Sequence, residues 1–303
     1  MQHEPFLRAM AALLCGRYGC RLRESGETFL LEREGKRIRL SARHLRDLVE
    51  VARHFDIYFA QVVPTIVRGR REVDYSQPRL HTLHSGLPFE LSGLPDKIPL
   101  PGSYFRAYKP VSGDLVFDIG AYCGVLTYEL SQLVGAAGTV IAFEPDPVNV
   151  QLLRRNVERH RMNNVRIVEL ALSGQNGTAP FRSDGSRGSV LHSPSKRPSS
   201  GKALQVETVT LEEACRRYGM PQFLKMDAGG SEVEILSESQ RFLRSRQMHF
   251  VLDTSHIRYG ATTHGPVESI FENCRYCAES NAEPGGFMTT WAAPASLPAG
   301  AQR

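Results

Sequence analysis

From residue 111 onward, short apolar runs alternate with longer stretches whose apolar residues recur at helical spacing. No other feature constrains the fold as tightly. Leu115–Ile119, 140–143, Val165–Val168, Phe223–Met226 and 249–252 are runs of the kind that fill a strand buried on both faces. Between them Leu126, Leu130, Leu133 and Val134 form a helical stripe. Asp146 is placed to cap a helix over 147–161, with Pro147 in its first turn. Thr210 with Glu213, and Ser231 with Glu234, have the capping-box spacing of two further helix starts. A final strand is expected near 287–291, and residues 296–303 read as a loose tail. Strand–helix alternation of this kind requires a mostly parallel sheet with helices on both faces, an α/β fold. Ligands on such sheets lie beyond the carboxyl ends of the strands. The chemistry is therefore expected at 118–124, 144–146, 170–173, 227–232 and 253–256.

Two of these places carry unusual residues. The first strand runs into Asp118-Ile-Gly120-Ala121-Tyr122-Cys-Gly124. Gly120 permits a tight turn and a close backbone approach. The pyrophosphate loop of dinucleotide folds needs GxGxxG; this loop lacks that third glycine and begins with an acid. An acid there repels phosphate and suits a cation or an amino group. The second strand ends in Glu144-Pro145-Asp146, 26 residues after Asp118. Asp146 is expected as the helix cap, which leaves Glu144 to accept hydrogen bonds from a ribose diol. Together the two segments describe a nucleoside pocket without phosphate recognition. S-adenosylmethionine, with its ribose, adenine and cationic amino-acid tail, fits that description.

Several segments, in order and in spacing, resemble the FkbM family of S-adenosylmethionine-dependent methyltransferases. They are DIGAYCGVLTYEL (118–130), VIAFEPDPVNVQLLRRNVERH (140–160), ALSGQNGTAPF (171–181), VETVTLEE (206–213) and KMDAGGSEVEIL (225–236). The resemblance implies a class I methyltransferase (Rossmann-like) fold over residues 86–295. It also implies O-methylation of a hydroxyl on a sugar or natural product. Asp118, Gly120, Ala121 and Gly124, with Tyr122 between them, would line the methionine end and the ribose. Glu144, with Pro145 and Asp146, would take the ribose hydroxyls. Ala171 and Leu172 would lie near adenine, aided by backbone contacts or Ser173. Family members often carry Asp-Val-Glu-Gly-Ala-Glu where this chain has Asp227-Ala-Gly229-Gly-Ser-Glu232. The internal acid is thus replaced by Gly229, a departure that bears on activity.

Methyl transfer to a hydroxyl needs alignment and a proton acceptor, worth ~10² to 10⁴-fold in rate. Asp227, after the fourth strand, is the first candidate base; Asp253 and His256, after the fifth, are the next. No three residues have metal-ligand spacing, so no metal is expected. The polar stretch 183–202, with Arg187, Lys196 and Arg197, is a candidate lid. Three rival readings remain. A nucleic-acid methyltransferase is disfavoured because the Asn/Asp-Pro-Pro-aromatic motif is replaced by Asp227-Ala-Gly-Gly. An NAD-dependent oxidoreductase is disfavoured by the missing GxGxxG. A non-catalytic cofactor-binding module is motivated by Gly229.

Residues 1–85 lie outside the resemblance and form an expected accessory region that serves acceptor binding or a homodimer. Phe6, Met10, Leu13 and Leu14 follow amphipathic-helix spacing. Residues 28–40 read as two strands about a turn at Glu34-Gly35, residues 41–63 as one helix, and 64–110 as a connection with one hairpin. The net charge of +5 arises in residues 1–110, with 18 Lys and Arg against 12 Asp and Glu; the remainder has 19 against 20. The excess reads as a solvated basic face, or as a surface for an acidic partner such as nucleic acid, a membrane surface or an anionic sugar. The apolar run 9–15 is short, is followed by Arg17, Arg21 and Arg23, and has no small-residue cleavage site, so a cytoplasmic protein is expected. No stretch approaches the ~18 to 20 apolar residues of a membrane span. The six cysteines are too sparse for a disulfide framework and read as thiols.

Overall fold

The buried apolar runs are strands of a single seven-stranded sheet. In this computed structural model, residues 4–45, 47–95, 102–185, 189–191, 202–258, 260–283 and 287–295 are described. The strands are β1 (Leu115–Ile119), β2 (Thr139–Phe143), β3 (Val165–Val168), β4 (Phe223–Met226), β5 (His249–Asp253), β6 (Tyr276–Glu283) and β7 (Phe287–Pro294). Their order is β3-β2-β1-β4-β5-β7-β6. The first five pair in parallel; β7 inserts antiparallel between β5 and β6. The chain reverses its direction of strand addition between β1 and β4, which creates the crevice in which ligands of such sheets bind.

Side-chain alternation divides the core into two layers. Phe117, Ile119, Ile141, Phe143, Leu224, Met226, Phe250 and Leu252 fill one face. Val116, Val140, Phe223, Val251 and Trp291 fill the other, beneath α1 (Val125–Val134). Asp118 shares a face with Val116, and Lys225 with Phe223, so the sheet carries two charged groups into this second layer. The helix α2 (Pro147–Arg159) starts as expected, with Asp146 accepting from the Val148 amide at 2.8 Å. At α3 (Leu211–Tyr218) half of the expected capping box forms. Thr210 accepts from the Glu213 amide, whereas the Thr210 amide donates to Asn176 and the Glu213 carboxylate binds Arg216 and Arg217. At α4 (Glu232–Glu238) Ser231 precedes the helix without a side-chain cap, and Glu234 is held instead by Arg258. The helix α5 (His264–Asn273) packs beside β6.

Two features went unforeseen in this region. Residues 171–209 form a small second sheet, in the order Ala171–Leu172, Lys202–Val209, Gly177–Ser183, Val190–Leu191. Two of its strands are only two residues long and the other two interleave polar with apolar residues, so no apolar run marks them. The strand β6, YCAESNAE, is hidden for the same reason. None of the six cysteines forms a disulfide; of the pair Cys274 and Cys277, the first is buried and the second exposed. Most of the candidate lid (186–188 and 192–201) and the expected tail (296–303) lie outside the described residues.

The chain divides into two compact units, Met1–Pro99 with Asp184–Arg187, and Leu100–Ser183 with Gly188–Arg303. Within the first, five strands are ordered Arg21–Ser25, Thr28–Arg33, Lys36–Ser41, Arg70–Tyr75, Thr65–Val67. The two strands expected about Glu34-Gly35 are the second and third of these. The single helix expected over 41–63 is instead a 3₁₀ turn (Ala42–His44) and two short helices, Leu48–Arg53 and Phe55–Ala60, broken at His54. The break turns Tyr58 inward, where its carbonyl accepts the Tyr75 hydroxyl at 2.8 Å. The N-terminal helix, Glu4–Arg17, forms, but Phe6, Met10 and Leu13 are exposed and the buried positions are Ala11 and Cys15. Four of the basic residues gather on the sheet face, where Arg23, Arg37, Arg39 and Arg70 surround the buried Glu32 and Glu72. Among the described residues no helix is long and apolar enough to cross a membrane.

The packing at the β1–β4 junction allows a direct check. Gly120 has φ +75°, and a Cβ there would lie 2.1 Å from the Asp227 carbonyl oxygen. Gly113 has φ +96° with open space around it. Gly113→Ala is expected to cost only the left-handed penalty, ~1 to 2 kcal/mol. Gly120→Ala adds a backbone collision and should cost about 3 kcal/mol or more. Urea unfolding of the two variants tests the difference.

Candidate functional site

At the carboxyl end of β1 the loop 120–124 folds back onto β2. The Gly120 and Ala121 amides both donate to the Phe143 carbonyl at 3.0 Å. Tyr122 adopts φ +51°, which turns its amide toward Glu144 Oε2 at 2.8 Å. At Gly124, φ +84°, a Cβ would lie 2.4 Å from a Leu153 methyl of α2. Loop and acid are therefore one assembly. Glu144 Oε1 also accepts from the Asp146 amide at 2.9 Å and from Asn149 Nδ2 at 3.4 Å. Burial pushes the Glu144 carboxyl up to about 7, against the pull of these donors. Three donors on a carboxylate leave acceptor capacity for one more.

Asp118 does not face the crevice as a free carboxylate. It is fully buried, accepts from Thr127 Oγ1 of α1 at 2.6 Å, and lies 3.1 Å from Lys225 Nζ. Lys225 is its register partner on β4 and also donates to the Gly120 carbonyl at 2.6 Å. The cation that Asp118 suits is thus supplied by the chain itself, and the pair ties the glycine loop to β4. Asp146 is fully buried and caps α2, with Ser189 on its other oxygen. Pro145 is half-buried between the two acids, and Ala171 and Leu172 are buried in the edge strand of the small sheet.

Beyond β4 and β5, three side chains converge. Asp227 is half-buried, with its amide fixed on the Ile119 carbonyl at 2.9 Å. Its Oδ1 lies 3.5 Å from His256 Nε2, and His256 Nδ1 lies 3.3 Å from Glu232 Oε1. Glu232 is fully buried; its Oε1 accepts from the Ala228 and Gly230 amides, both at 3.0 Å, while its Oε2 has no hydrogen-bond partner. Burial raises the Glu232 carboxyl above the ordinary carboxylate range, opposed by His256. Gly229 and Gly230 make this turn with φ of +61° and +91°, and Arg258 closes it by donating to the Gly230 carbonyl. Gly229 is thus part of a left-handed turn in which a side chain would be strained. Asp253, read with Asp227 and His256 as a candidate base, accepts from the Ser255 amide through its own Oδ1.

The sequence reading found no metal-ligand set, because His256 comes from a different segment from Asp227 and Glu232. The fold gathers one: Asp227, Glu232 and His256 each offer a ligand atom within 4.8 Å of the others. Two further residues had been missed. Lys225 looks like a strand residue until its register with Asp118 is known. Tyr104, in the short 3₁₀ turn Gly102–Phe105, packs on the second core layer; burial raises its phenol, with Lys225, Asp227, Asp118 and Asp253 also acting on it.

A sheet in this order, a glycine loop after β1 and an acid at the end of β2 define a class I methyltransferase. The spare acceptor capacity of Glu144 fits the ribose of S-adenosylmethionine, the cofactor of this class. The chain belongs to the FkbM methyltransferase domain family, whose pattern matches residues 118–277, just over half of the sequence. Curated relatives named as probable cobalt-precorrin-6B C(15)-methyltransferases (decarboxylating) are also similar. The protein of Sulfolobus acidocaldarius is 34% identical over 89 residues, covering 28% of this chain and 46% of its own. That of Sulfurisphaera tokodaii is 35% identical over 91 residues, covering 26% and 47%. The chain therefore spans about half the length of the curated relatives it matches. Among solved structures, the methyltransferase FkbM of Methylobacillus flagellatus KT aligns over 96% of this chain and 59% of its own, with 13% identity and a TM-score of 0.43. The precorrin-6y C5,15-methyltransferase of Geobacter metallireducens GS-15 aligns over 63% and 86%, with 15% identity and a TM-score of 0.43.

The buried pair has a measurable consequence. Lys225→Met leaves the Asp118 carboxylate without its cation and should lower stability by about 3 to 5 kcal/mol. The double variant Asp118→Asn/Lys225→Met should recover much of that loss, since no charge remains buried. Chemical unfolding of the three proteins measures the coupling.

Proposed function

We propose that this chain transfers the methyl group of S-adenosylmethionine to a hydroxyl oxygen of a sugar or another small molecule. The observation that carries the reading is the placement of Asp227 and His256 beyond β4 and β5, on the far side of the β1–β4 crevice from Glu144. S-adenosylmethionine, when bound, supplies a sulfonium-borne methyl group. Glu144 would accept a ribose hydroxyl, and the backbone of Gly120, Ala121 and Tyr122 would border the methionine portion. Pro145, Ala171 and Leu172 would flank the adenine, with Asp146 and Gly124 holding the loops that carry them. Asp118 would act through Lys225 by fixing the loop. The acceptor hydroxyl would donate to Asp227, which takes the proton at a carboxylate oxygen, while His256 holds that carboxylate in place. Tyr104 and Asp253 border the same space. Residues 86–295 would form the catalytic domain, and residues 1–85 an accessory that serves acceptor binding or dimerisation. The C-methylation named for the curated relatives would need no such proton acceptor on a hydroxyl.

Thermal unfolding with S-adenosylhomocysteine tests the cofactor site. At ~100 times the dissociation constant the ligand should stabilise the native chain by ~2.7 kcal/mol, and Glu144→Ala should abolish the shift. An absent shift in the well-folded native chain sinks the reading. A shift without turnover on any hydroxyl acceptor leaves a non-catalytic cofactor-binding module.

Glu144 also sets a pH dependence. A ribose hydroxyl donates to the ionised carboxylate, which forms only above about 7 in the free protein. Affinity for S-adenosylhomocysteine should therefore fall about tenfold per pH unit below that value and level off above it. In the free protein the sign is opposite. A raised folded pKa means that the native state holds the proton more tightly, so the Glu144 contribution to stability is present below the ordinary glutamate range and is lost as pH rises through about 7. Calorimetric titration across that range measures the first effect, and Glu144→Gln should flatten it.

A further inference from the structure

We propose that Asp227, Glu232 and His256 bind a divalent cation at the acceptor end of the crevice. The inference rests on the reading that a hydroxyl acceptor arrives beside Asp227. Three observations carry it. The first is the donor set: two carboxylates and one imidazole, contributed after β4, at the start of α4 and after β5, with a ligand atom from each within 4.8 Å of the others. Donors around a manganese- or magnesium-sized ion lie about 3 Å apart when adjacent and about 4.2 Å apart when opposite, so binding would draw the three side chains inward. The second is Glu232. Its carboxylate is fully buried at the cluster, one oxygen is held by two loop amides, and the other has no hydrogen-bond partner. A buried carboxylate oxygen requires a partner, and a cation between Glu232 and Asp227 would supply it. The third is the rigidity of the turn. Gly229 and Gly230 in left-handed conformations, with Arg258 on the Gly230 carbonyl, aim Glu232 back under the loop rather than outward from the helix.

The donor chemistry indicates which ion. Carboxylate oxygens suit Mg²⁺ and Mn²⁺, and the imidazole shifts the preference toward Mn²⁺. Three protein ligands leave positions on the ion open. An acceptor hydroxyl entering one of them would become more acidic. Its proton would pass to the Asp227 oxygen that does not ligate the ion. The new O–CH₃ bond would then form as the S–CH₃ bond breaks.

The probe is Mn²⁺, added to the full chain after chelator treatment and followed by loss of the free-ion paramagnetic resonance signal. The expected result is one Mn²⁺ per chain, with binding weakened at least tenfold in Glu232→Gln and in His256→Ala and unchanged in Glu234→Gln. If Glu232→Gln does not fold, His256→Ala decides alone, since that side chain is partly exposed. No loss of the signal overturns the proposal, as does binding that both cluster variants leave intact. The S-adenosylhomocysteine shift is measured on the same samples. A retained shift without Mn²⁺ binding removes only the cation site and leaves Glu232 as a positioning residue for His256. An absent shift removes the parent reading.

Discussion

The site depends on one buried contact between strands whose residues lie more than 100 apart in sequence. Asp118 on β1 and Lys225 on β4 are register partners, and alternation forces both side chains into the same core layer. Neither charge could stay there alone, because an isolated buried ion is far less stable than a hydrated one. Paired, and with Thr127 on the second carboxylate oxygen, they fix β1, β4 and α1 together. Lys225 then reaches the Gly120 carbonyl, and the Asp227 carbonyl sits where a Gly120 side chain would have to be. The cofactor loop and the strand that delivers the candidate base are thus held by the same few atoms.

From that junction the functional groups diverge by short, stiff connections. Tyr122 and Asp146 place their amides on Glu144. In the other direction, two left-handed glycines turn the chain so that Glu232 bonds to its own loop and faces His256. Gly229, where the resemblance implied an acid, is one of these two left-handed residues. His256 lies between the two acids, with Nε2 toward Asp227 and Nδ1 toward Glu232.

Legibility in the sequence followed burial. β1 and β4 are apolar nearly throughout, and their limits could be read directly because a strand covered on both faces has few alternatives. β6 is mostly polar, and the strands of the small sheet are two residues long or interleave polar with apolar residues, so only their pairing partners define them. The segment 41–63 shows a different limit: its apolar stripe is real, yet the break at His54 accompanies a long-range bond from Tyr75 to the Tyr58 carbonyl that the local pattern does not show. In the site, Gly120 and Glu144 stood out by type and position. The purpose of Asp118 did not, because a carboxylate facing a ligand and one facing a lysine look alike until strand register is known. Glu232 was visible only as a matching letter; its burial and unpartnered oxygen belong to three dimensions.

The strand order also bears on how the protein is made. β2 follows β1 by about 20 residues, but β4, which covers the other edge, is synthesised more than 100 residues after β1. At roughly 5 to 20 residues per second, that edge waits about 5 to 20 s for its partner. Throughout that time an apolar strand, with Asp118 still lacking its lysine, presents unpaired backbone to whatever is nearby. The interval coincides with translation of the polar 171–209 segment, which delays closure without adding to the central sheet. The strand order thus makes β1 depend on protection during synthesis as well as on the stability of the finished sheet.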